Sequence, residues 1–273
     1  MFTVEISNKQ KLNNIITIFK NLNKITEHVN VNFTASHMYI QGKCSINICI
    51  VELNLLNSWF DKYDINEDTT IGVNCEVLFK VMSCISDNQT LVISHQGDDT
   101  FNIEFKGQNT IEKKFELQMV ELDEELLEIP YKEHEVDIKI TSSIFSDLIN
   151  QIKMFGEEIT ISCTDENVNL KTTSVSGTSN IILNEDNLIE YGIEEDLKLV
   201  SMFGISYLHV ISTFSKLSSE TNIHISQNFP LEVRYPIEGS WMDDSDNEDN
   251  EDTNDFNDKN MIRFFLAPKI DDQ

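Results

Sequence analysis

The chain has 273 residues, 40% apolar and 25% charged, enough for one large domain or two of ordinary size, each with its own core. Only 9 glycines and 4 prolines occur, which excludes collagen-like and Pro- or Gly-rich low-complexity classes. With 47 acidic against 20 basic residues the formal charge is −27. A uniformly negative surface repels phosphate, so any role at a polyanion requires the basic residues to be gathered in one place.

The segment Met1-Phe2-Thr3-Val4-Glu5-Ile6 lacks the basic-then-apolar pattern of a signal peptide. Apolar runs such as Ile48-Cys49-Ile50-Val51 are about four residues long, against roughly 20 for a membrane span. A soluble intracellular chain with no membrane partner is expected. The five cysteines (Cys44, Cys49, Cys75, Cys84, Cys163) form no C-x-x-C pair and stand among Ile, Val and Met, which predicts buried free thiols. Asn32-Phe33-Thr34 and Asn88-Gln89-Thr90 match the glycosylation sequon, which carries no weight without secretion.

Along the chain, Val4-Glu5-Ile6 alternates like a strand. Lys11 to Leu22 then places Leu12, Ile15, Ile16, Phe19 and Leu22 on one helical stripe. Alternating stretches follow at His28 to Phe33, Met38 to Gln41 and Ser45 to Leu55. A second strand–helix pair runs from Thr70 to Val73 into Asn74 to Ile85, with Asn74 as N-cap and Val77, Leu78, Val81, Met82 and Ile85 on one face. Strands return at Thr90 to Ser94, Phe101 to Phe105 and Lys114 to Val120.

The second half repeats this order about 130 residues later: Val4 corresponds to Val136, Leu78 to Tyr207 and Ile103 to Val233. Val136 to Ile140 alternates, and Ser142 to Phe155 offers Ile144, Phe145, Leu148, Ile149 and Ile152 as a stripe. Glu158 to Ser162, Asn167 to Thr172 and Asn180 to Leu183 read as strands. Asp196 to Ser201 leads to a fourth helix, Ile205 to Leu217, striped by Tyr207, Leu208, Ile211 and Phe214. Thr221 to Ser226, Leu231 to Tyr235 and Ile262 to Leu266 follow. The fold class is therefore α+β, duplicated: an N-terminal domain at 1–118, an acidic Pro-bearing connector at 119–134 and a C-terminal domain at 135–273. Glu238 to Asp258 holds ten acidic residues and no Lys or Arg, and reads as a disordered insertion in a hairpin. Within it Ser245-Asp246-Asn247-Glu248 fits an acid-directed kinase site.

The basic residues are not evenly spread. Windows 9–24, 74–86, 142–155 and 203–216 hold seven lysines (Lys9, Lys11, Lys20, Lys24, Lys80, Lys153, Lys216) against Glu76 and Asp147, a net +5, while the remainder carries −32. The helix preference for Lys over Asp accounts for some of this. The sharper explanation is that the helices form a common surface facing something anionic while the sheets face away.

Several stretches resemble a known family. They are Trp59-Phe60-Asp61-Lys62-Tyr63, Ile71-Gly72-Val73-Asn74, Leu122-Asp123 with Leu127-Glu128-Ile129-Pro130, Pro230-Leu231-Glu232-Val233-Arg234-Tyr235, and Phe264-Phe265-Leu266-Ala267-Pro268-Lys269-Ile270 before an acidic end. In this order and spacing they resemble the proliferating cell nuclear antigen family, the sliding clamps of eukaryotes and archaea, and viral clamps. Only the acidic insertion is unmatched. The resemblance implies a DNA-clamp fold: three subunits close head to tail, sheets lie outside, and four amphipathic helices per chain line the hole.

The implied function is a polymerase processivity factor that encircles duplex DNA and tethers replication and repair proteins, with no cofactor. Implied partners are double-stranded DNA with weak direct affinity, a DNA polymerase, a clamp loader, other proteins bearing clamp-binding peptides, and the chain itself as a homotrimer. The location implied is the nucleus, or a viral replication compartment for a viral source. The DNA-facing residues would be Lys9, Lys11, Lys20, Lys80, Lys153, His209 and Lys216. Partner peptides of the form Gln-x-x-aliphatic-x-x-aromatic-aromatic would meet Asn47, Ile48, Ile50, Leu127, Ile129, Pro130, Pro230, Phe265, Ala267 and Pro268. Subunits would join edge to edge through Lys113, Lys114 and Phe115 against Ser179, Asn180 and Ile181.

The chain also departs from the family. Asn13, Asn14, Ser83, Asp147, Asn150, Ser206 and Thr213 stand where clamps place further Lys or Arg, which leaves the hole weakly basic. Cys163-Thr164-Asp165-Glu166-Asn167 stands where the family carries a modifiable lysine. Abundant Asn, Ile and Lys suggest an AT-rich viral or protist genome.

No phosphate-binding loop, dinucleotide fingerprint, H-E-x-x-H or nucleophile elbow occurs, and the six histidines (His28, His37, His95, His134, His209, His224) have no metal-ligand spacing. A binding protein without chemistry of its own is expected. The alternatives are a subunit of a heterotrimeric checkpoint clamp and, from another class, a metal-dependent nuclease.

Overall fold

The computed structural model describes residues 1–123, 125–130, 132–237 and 256–269. The chain divides into two compact units: Met1–Ser45, Glu52–Glu128 and Ile237–Met261 in unit 1, and Ile46–Val51, Ile129–Pro236 and Ile262–Gln273 in unit 2. The units interleave along the chain, where the sequence reading draws a linear division at 118 and 135. Hydrogen bonds distant in sequence are the reason. The Asn54 side-chain amide donates to the carbonyls of Phe256, Asn257 and Lys259 at 3.2, 3.0 and 2.9 Å, tying that segment to unit 1. The Ala267 N–H donates to the Ile48 carbonyl at 2.9 Å, tying Ile48 to unit 2.

The first half contains β1 (Phe2–Ile6), α1 (Lys9–Leu22), β2 (His28–Phe33), β3 (His37–Lys43), β4 (Cys49–Leu56), β5 (Lys62–Ile65), β6 (Thr69–Asn74), α2 (Cys75–Met82), β7 (Thr90–His95), β8 (Thr100–Lys106) and β9 (Lys113–Gln118). The second contains β10 (Val136–Thr141), α3 (Ser142–Lys153), β11 (Glu158–Cys163), β12 (Asn167–Ser174), β13 (Gly177–Asn184), β14 (Glu190–Ile193), β15 (Leu199–Gly204), α4 (Ile205–Ser212), β16 (Glu220–Ile225), β17 (Leu231–Pro236) and β18 (Met261–Leu266).

Unit 1 orders its strands β5-β1-β7-β8-β9 and β4-β3-β2-β6; unit 2 orders them β14-β10-β16-β17-β18 and β13-β12-β11-β15. These are the same two orders, so the repeat read from the sequence is a repeat of topology. Equivalent registers agree as well: Val4 faces Ile93, and Val136 faces Ile225.

Local chemistry explains the helices. The Asn8 side chain accepts from the backbone N–H groups of Gln10 and Lys11 at 2.9 and 3.2 Å, and Asn74 accepts from Val77 at 2.9 Å, so each caps the helix that follows it. α1 buries Leu12, Ile15, Ile18, Phe19 and Leu22. In unit 2, Phe145, Ile149 and Ile152 of α3 are buried, as are Leu208 and Ile211 of α4 and Phe214 beyond it. Each fully buried Leu, Ile or Phe contributes on the order of 1.5–3 kcal/mol over its exposed state.

Several expectations are corrected. α2 stops at Met82 and buries only Cys75, Leu78 and Met82, while Val77 is 45% exposed. Ile144, expected in the α3 stripe, is exposed. The fourth helix turns 3₁₀ from Thr213 to Leu217. β5 and β14 are missing from the sequence reading because KYDI and EYGI are short and half charged or polar. Cys84, expected buried, is exposed beyond the end of α2, with its thiol on the Lys80 carbonyl. Of the acidic segment 238–258, residues 238–255 lie outside the described residues. Its last three, Phe256–Asp258, form a 3₁₀ turn with Phe256 buried, so they are part of the fold.

Candidate functional site

The structure places the expected DNA-facing lysines as follows. Lys9, Lys20, Lys80, Lys153 and Lys216 are exposed, Lys11 is partly covered, and His209 is half-buried on α4. In unit 1, Lys9 lies 3.2 Å from Asp87, Lys80 bridges Glu76 one turn back at 2.5 Å, and Lys11 reaches both Asp61 at 3.9 Å and the Trp59 ring at 5.7 Å. Pairs this exposed are worth little, so they do not withdraw the lysines from another anion. Burial and then the neighbouring Lys20 charge pull the Lys24 ammonium below its ordinary pKa. Two of the departures do not face open solvent. Asn14 is buried and accepts from the Gln10 side chain at 3.3 Å, and the Thr213 hydroxyl donates to the Val210 carbonyl at 2.7 Å.

Both expected subunit-edge strands end their sheets: β9 follows β8, and β13 follows β12. On β9, Phe115 is half-buried with its ring 5.9 Å from Phe105, Lys114 is exposed beside Glu104 at 3.3 Å, and Lys113 folds back onto the Cys84 carbonyl at 2.5 Å. On β13, Ser179 and Ile181 are half-buried, Asn180 is exposed and Ile182 is 52% exposed. Ile111, 80% exposed two residues before β9, and Ile182 on β13 add apolar surface beside these positions.

The expected peptide-contact residues divide between the units. In unit 2, Ile48, Ile50, Ile129, Pro230, Ala267 and Pro268 are half-buried, Pro130 is exposed, and exposed Asn47 has φ 55. Ala267 is joined to Ile48 by its N–H. Phe265 is 5% exposed with the Arg263 guanidinium 5.2 Å from its ring, so it belongs to the core rather than to an open wall. Pro268 lines a separate cleft of about 440 Å³ with Met202, Gln227 and Asn228, where the Lys269 N–H donates to the Met202 carbonyl at 2.7 Å. In unit 1, Leu127 is 46% exposed while its backbone is held by the Gln41 side chain.

Sequence reasoning missed Gln41, Tyr39 and Glu52. Strand alternation assigns all three to the face away from Ile40 and Val51, so solvent is the default reading. The connector covers that face, and Gln41 and Glu52 are 9% and 4% exposed. Among the described residues, no group of three or more His, Cys, Asp or Glu is placed to hold a metal ion, and no helix is long and apolar enough to cross a membrane.

Two units with the same paired strand orders, two helices each and lysines exposed on those helices define the two-domain fold of the DNA sliding clamps. Comparison with known families supports this: the model of the proliferating cell nuclear antigen N-terminal domain matches residues 1–126, and that of the C-terminal domain matches 128–243. Proliferating cell nuclear antigen 2 of Drosophila melanogaster is 24% identical over 254 residues, 92% of each chain. Proliferating cell nuclear antigen 1 of Plasmodium falciparum is 26% identical over 276 residues, 96% of each chain. The chain belongs to the proliferating cell nuclear antigen family, and its class is that of a DNA sliding clamp in replication.

Proposed function

We propose that three copies of this chain close into a ring around duplex DNA and act as a processivity factor, without catalysing a reaction. The supporting observation is the exposure of Lys9, Lys20, Lys80, Lys153 and Lys216 on helical segments that are net positive in a chain of −27. Duplex DNA threads past these helices, the acidic remainder repels it, and tethering depends on topology more than on affinity. The partners are a DNA polymerase, a clamp loader and repair proteins, in the nucleus or a viral replication compartment. The test is retention on DNA after loading. Covalently closed circles should keep the protein, and linear DNA should lose it from free ends; equal retention on both contradicts encirclement.

Ring closure uses β9 of one copy against β13 of the next, because two open sheet edges are otherwise templates for aggregation. Native mass measurement should give three copies. A chain that remains monomeric alone and assembles only with other subunits would favour the checkpoint clamp.

Partner peptides carrying an aliphatic residue and two adjacent aromatics dock on the unit 2 surface around Ile48, Ile129, Pro230 and Ala267, and on Leu127 of the connector. Each buried aromatic removes about 150–250 Å² from water, which makes the pair the energetic anchor. Replacing Leu127 and Ile129 by Ala should abolish peptide binding while leaving the trimer intact.

A further inference from the structure

The connector leaves β9 and crosses β6, β2 and β3 of unit 1 in turn, tied at each. The Val120 N–H donates to the Gly72 carbonyl on β6 at 2.9 Å, and the Asn30 amide on β2 donates to the Leu122 carbonyl at 3.4 Å. At Gly72 a Cβ would lie 1.9 Å from the Val120 oxygen, so only glycine admits the chain this closely.

The third tie, on β3, differs in kind. Gln41 uses both ends of its carboxamide on one residue: its Oε1 accepts the Leu127 N–H at 2.7 Å, and its Nε2 donates to the Leu127 carbonyl at 2.9 Å. The planar amide thus takes the place of a neighbouring strand. The same Nε2 lies 3.1 Å from the Tyr39 hydroxyl and 3.2 Å from a Glu52 carboxylate oxygen, and Tyr39 donates to Glu52. The Glu52 oxygen that accepts from the Tyr39 hydroxyl also accepts from Gln41, so Glu52 holds the nitrogen of Gln41 on its own side and selects which way the amide turns. With Gln41 and Glu52 shielded from water, water does not replace a lost bond at full value.

We propose that Gln41 is the positioning residue of the connector: it holds the Leu127 backbone so that the half-exposed Leu127 side chain meets docking peptides already ordered, with Tyr39 and Glu52 fixing the orientation of the amide. The proposal rests on the reading that Leu127 contacts partner peptides. A connector ordered in advance does not lose its freedom on binding, so its contribution appears in affinity although Gln41 itself touches no ligand.

A double-mutant cycle in the full chain tests it, with Gln41→Ala, Leu127→Ala and the double variant. The probe is a fluorescent synthetic peptide containing Gln-x-x-Leu-x-x-Phe-Phe, and the readouts are its Kd and hydrogen exchange at the Leu127 amide. Gln41→Ala should speed that exchange and weaken the peptide about tenfold, as expected for one or two shielded hydrogen bonds. Added to Leu127→Ala, it should cost the peptide nothing more, because no side chain is left to position. Gln41→Glu keeps the side-chain volume but sets a carboxylate against Glu52 and loses the donor; it should weaken the peptide at least as much, which separates orientation from a cavity effect. Strictly additive losses, or unchanged Leu127 exchange in Gln41→Ala, overturn the proposal. If the parent protein does not bind the peptide, the docking reading fails, while Leu127 exchange still tests the clamp.

Discussion

Glu232 on β17 is 2% exposed and carries more electrostatic weight than any other carboxylate described in unit 2. It accepts from Arg234 at 2.6 and 3.0 Å and lies 3.1 Å from His134, with Arg263 at 3.8 Å. Burial alone would raise its pKa; the hydrogen bonds from His134 and Arg234 outweigh burial and bring it down to about 2. A carboxylate depressed in the fold contributes stability that is full above its unfolded pKa near 4.3 and is lost as pH falls through the folded value. Urea midpoints should therefore fall from about pH 4.5 toward 2, and Glu232→Gln should flatten that slope. At neutral pH the same change should cost roughly 3 kcal/mol, since it leaves the partly buried Arg234 and Arg263 without their carboxylate. His224, 5.1 Å from His134 and bonded to Asp137 at 2.5 Å, sits below the ordinary histidine pKa because burial disfavours its charge. Its contribution is complete above about pH 6.5 and declines as pH falls below it, when the unfolded chain takes up the proton first. His224→Gln should remove the pH dependence that sets in below about 6.5, measured by the same unfolding curves.

Among the elements, capping separates α1 from α3. Asn8 caps α1 through its side chain, whereas Thr141 before α3 makes no such bond. Asn8→Ala should cost about 1 kcal/mol and Thr141→Ala distinctly less, read from chemical denaturation. Asn74 and the apolar stripe of α1 were legible in the sequence because a helix and its cap are local; the Asn8 cap emerged only with the helix start at Lys9. The α2 face was not legible: Val77 and Val81 have the right spacing, yet the eight-residue helix turns Leu78 and Met82 to the sheet and leaves Val77 outside. β5 and β14 escaped for a related reason. Their place is set by pairing with β1 and β10, which a four-residue segment does not announce.

At the scale of the whole molecule, the proposed ring needs both edge strands. Ile182→Lys on β13 places a charge where an apolar side chain is 52% exposed on a sheet edge. It should reduce the assembly to single copies in native mass spectra while leaving circular dichroism unchanged, because a lysine on an open edge is a recognised barrier to edge pairing. The acidic segment divides at Phe256. Deleting residues 240–255 should leave the melting temperature near that of the parent, whereas Phe256→Ala should cost about 3–5 kcal/mol, because Phe256 is buried with its ring 6.4 Å from Tyr39 and anchored through Asn54.

By itself the sequence determined the α+β class, the duplication, the Asn74 cap and the gathering of lysines on helices. Each of these is written in local spacing or in a count, and neither changes when the chain folds. The tertiary structure decided which buried surface is polar. Gln41 and Glu52 occupy strand positions that alternation assigns to solvent, and they are shielded because segments distant in sequence lie against this face: Leu127, 86 residues beyond Gln41, and Phe256 beside Tyr39. It also decided that Phe265 is core and that Ile48 and Phe256 belong with units other than those a linear cut assigns. Hydrogen bonds between residues far apart in sequence set these outcomes, and a single chain read in order contains no local signal for them.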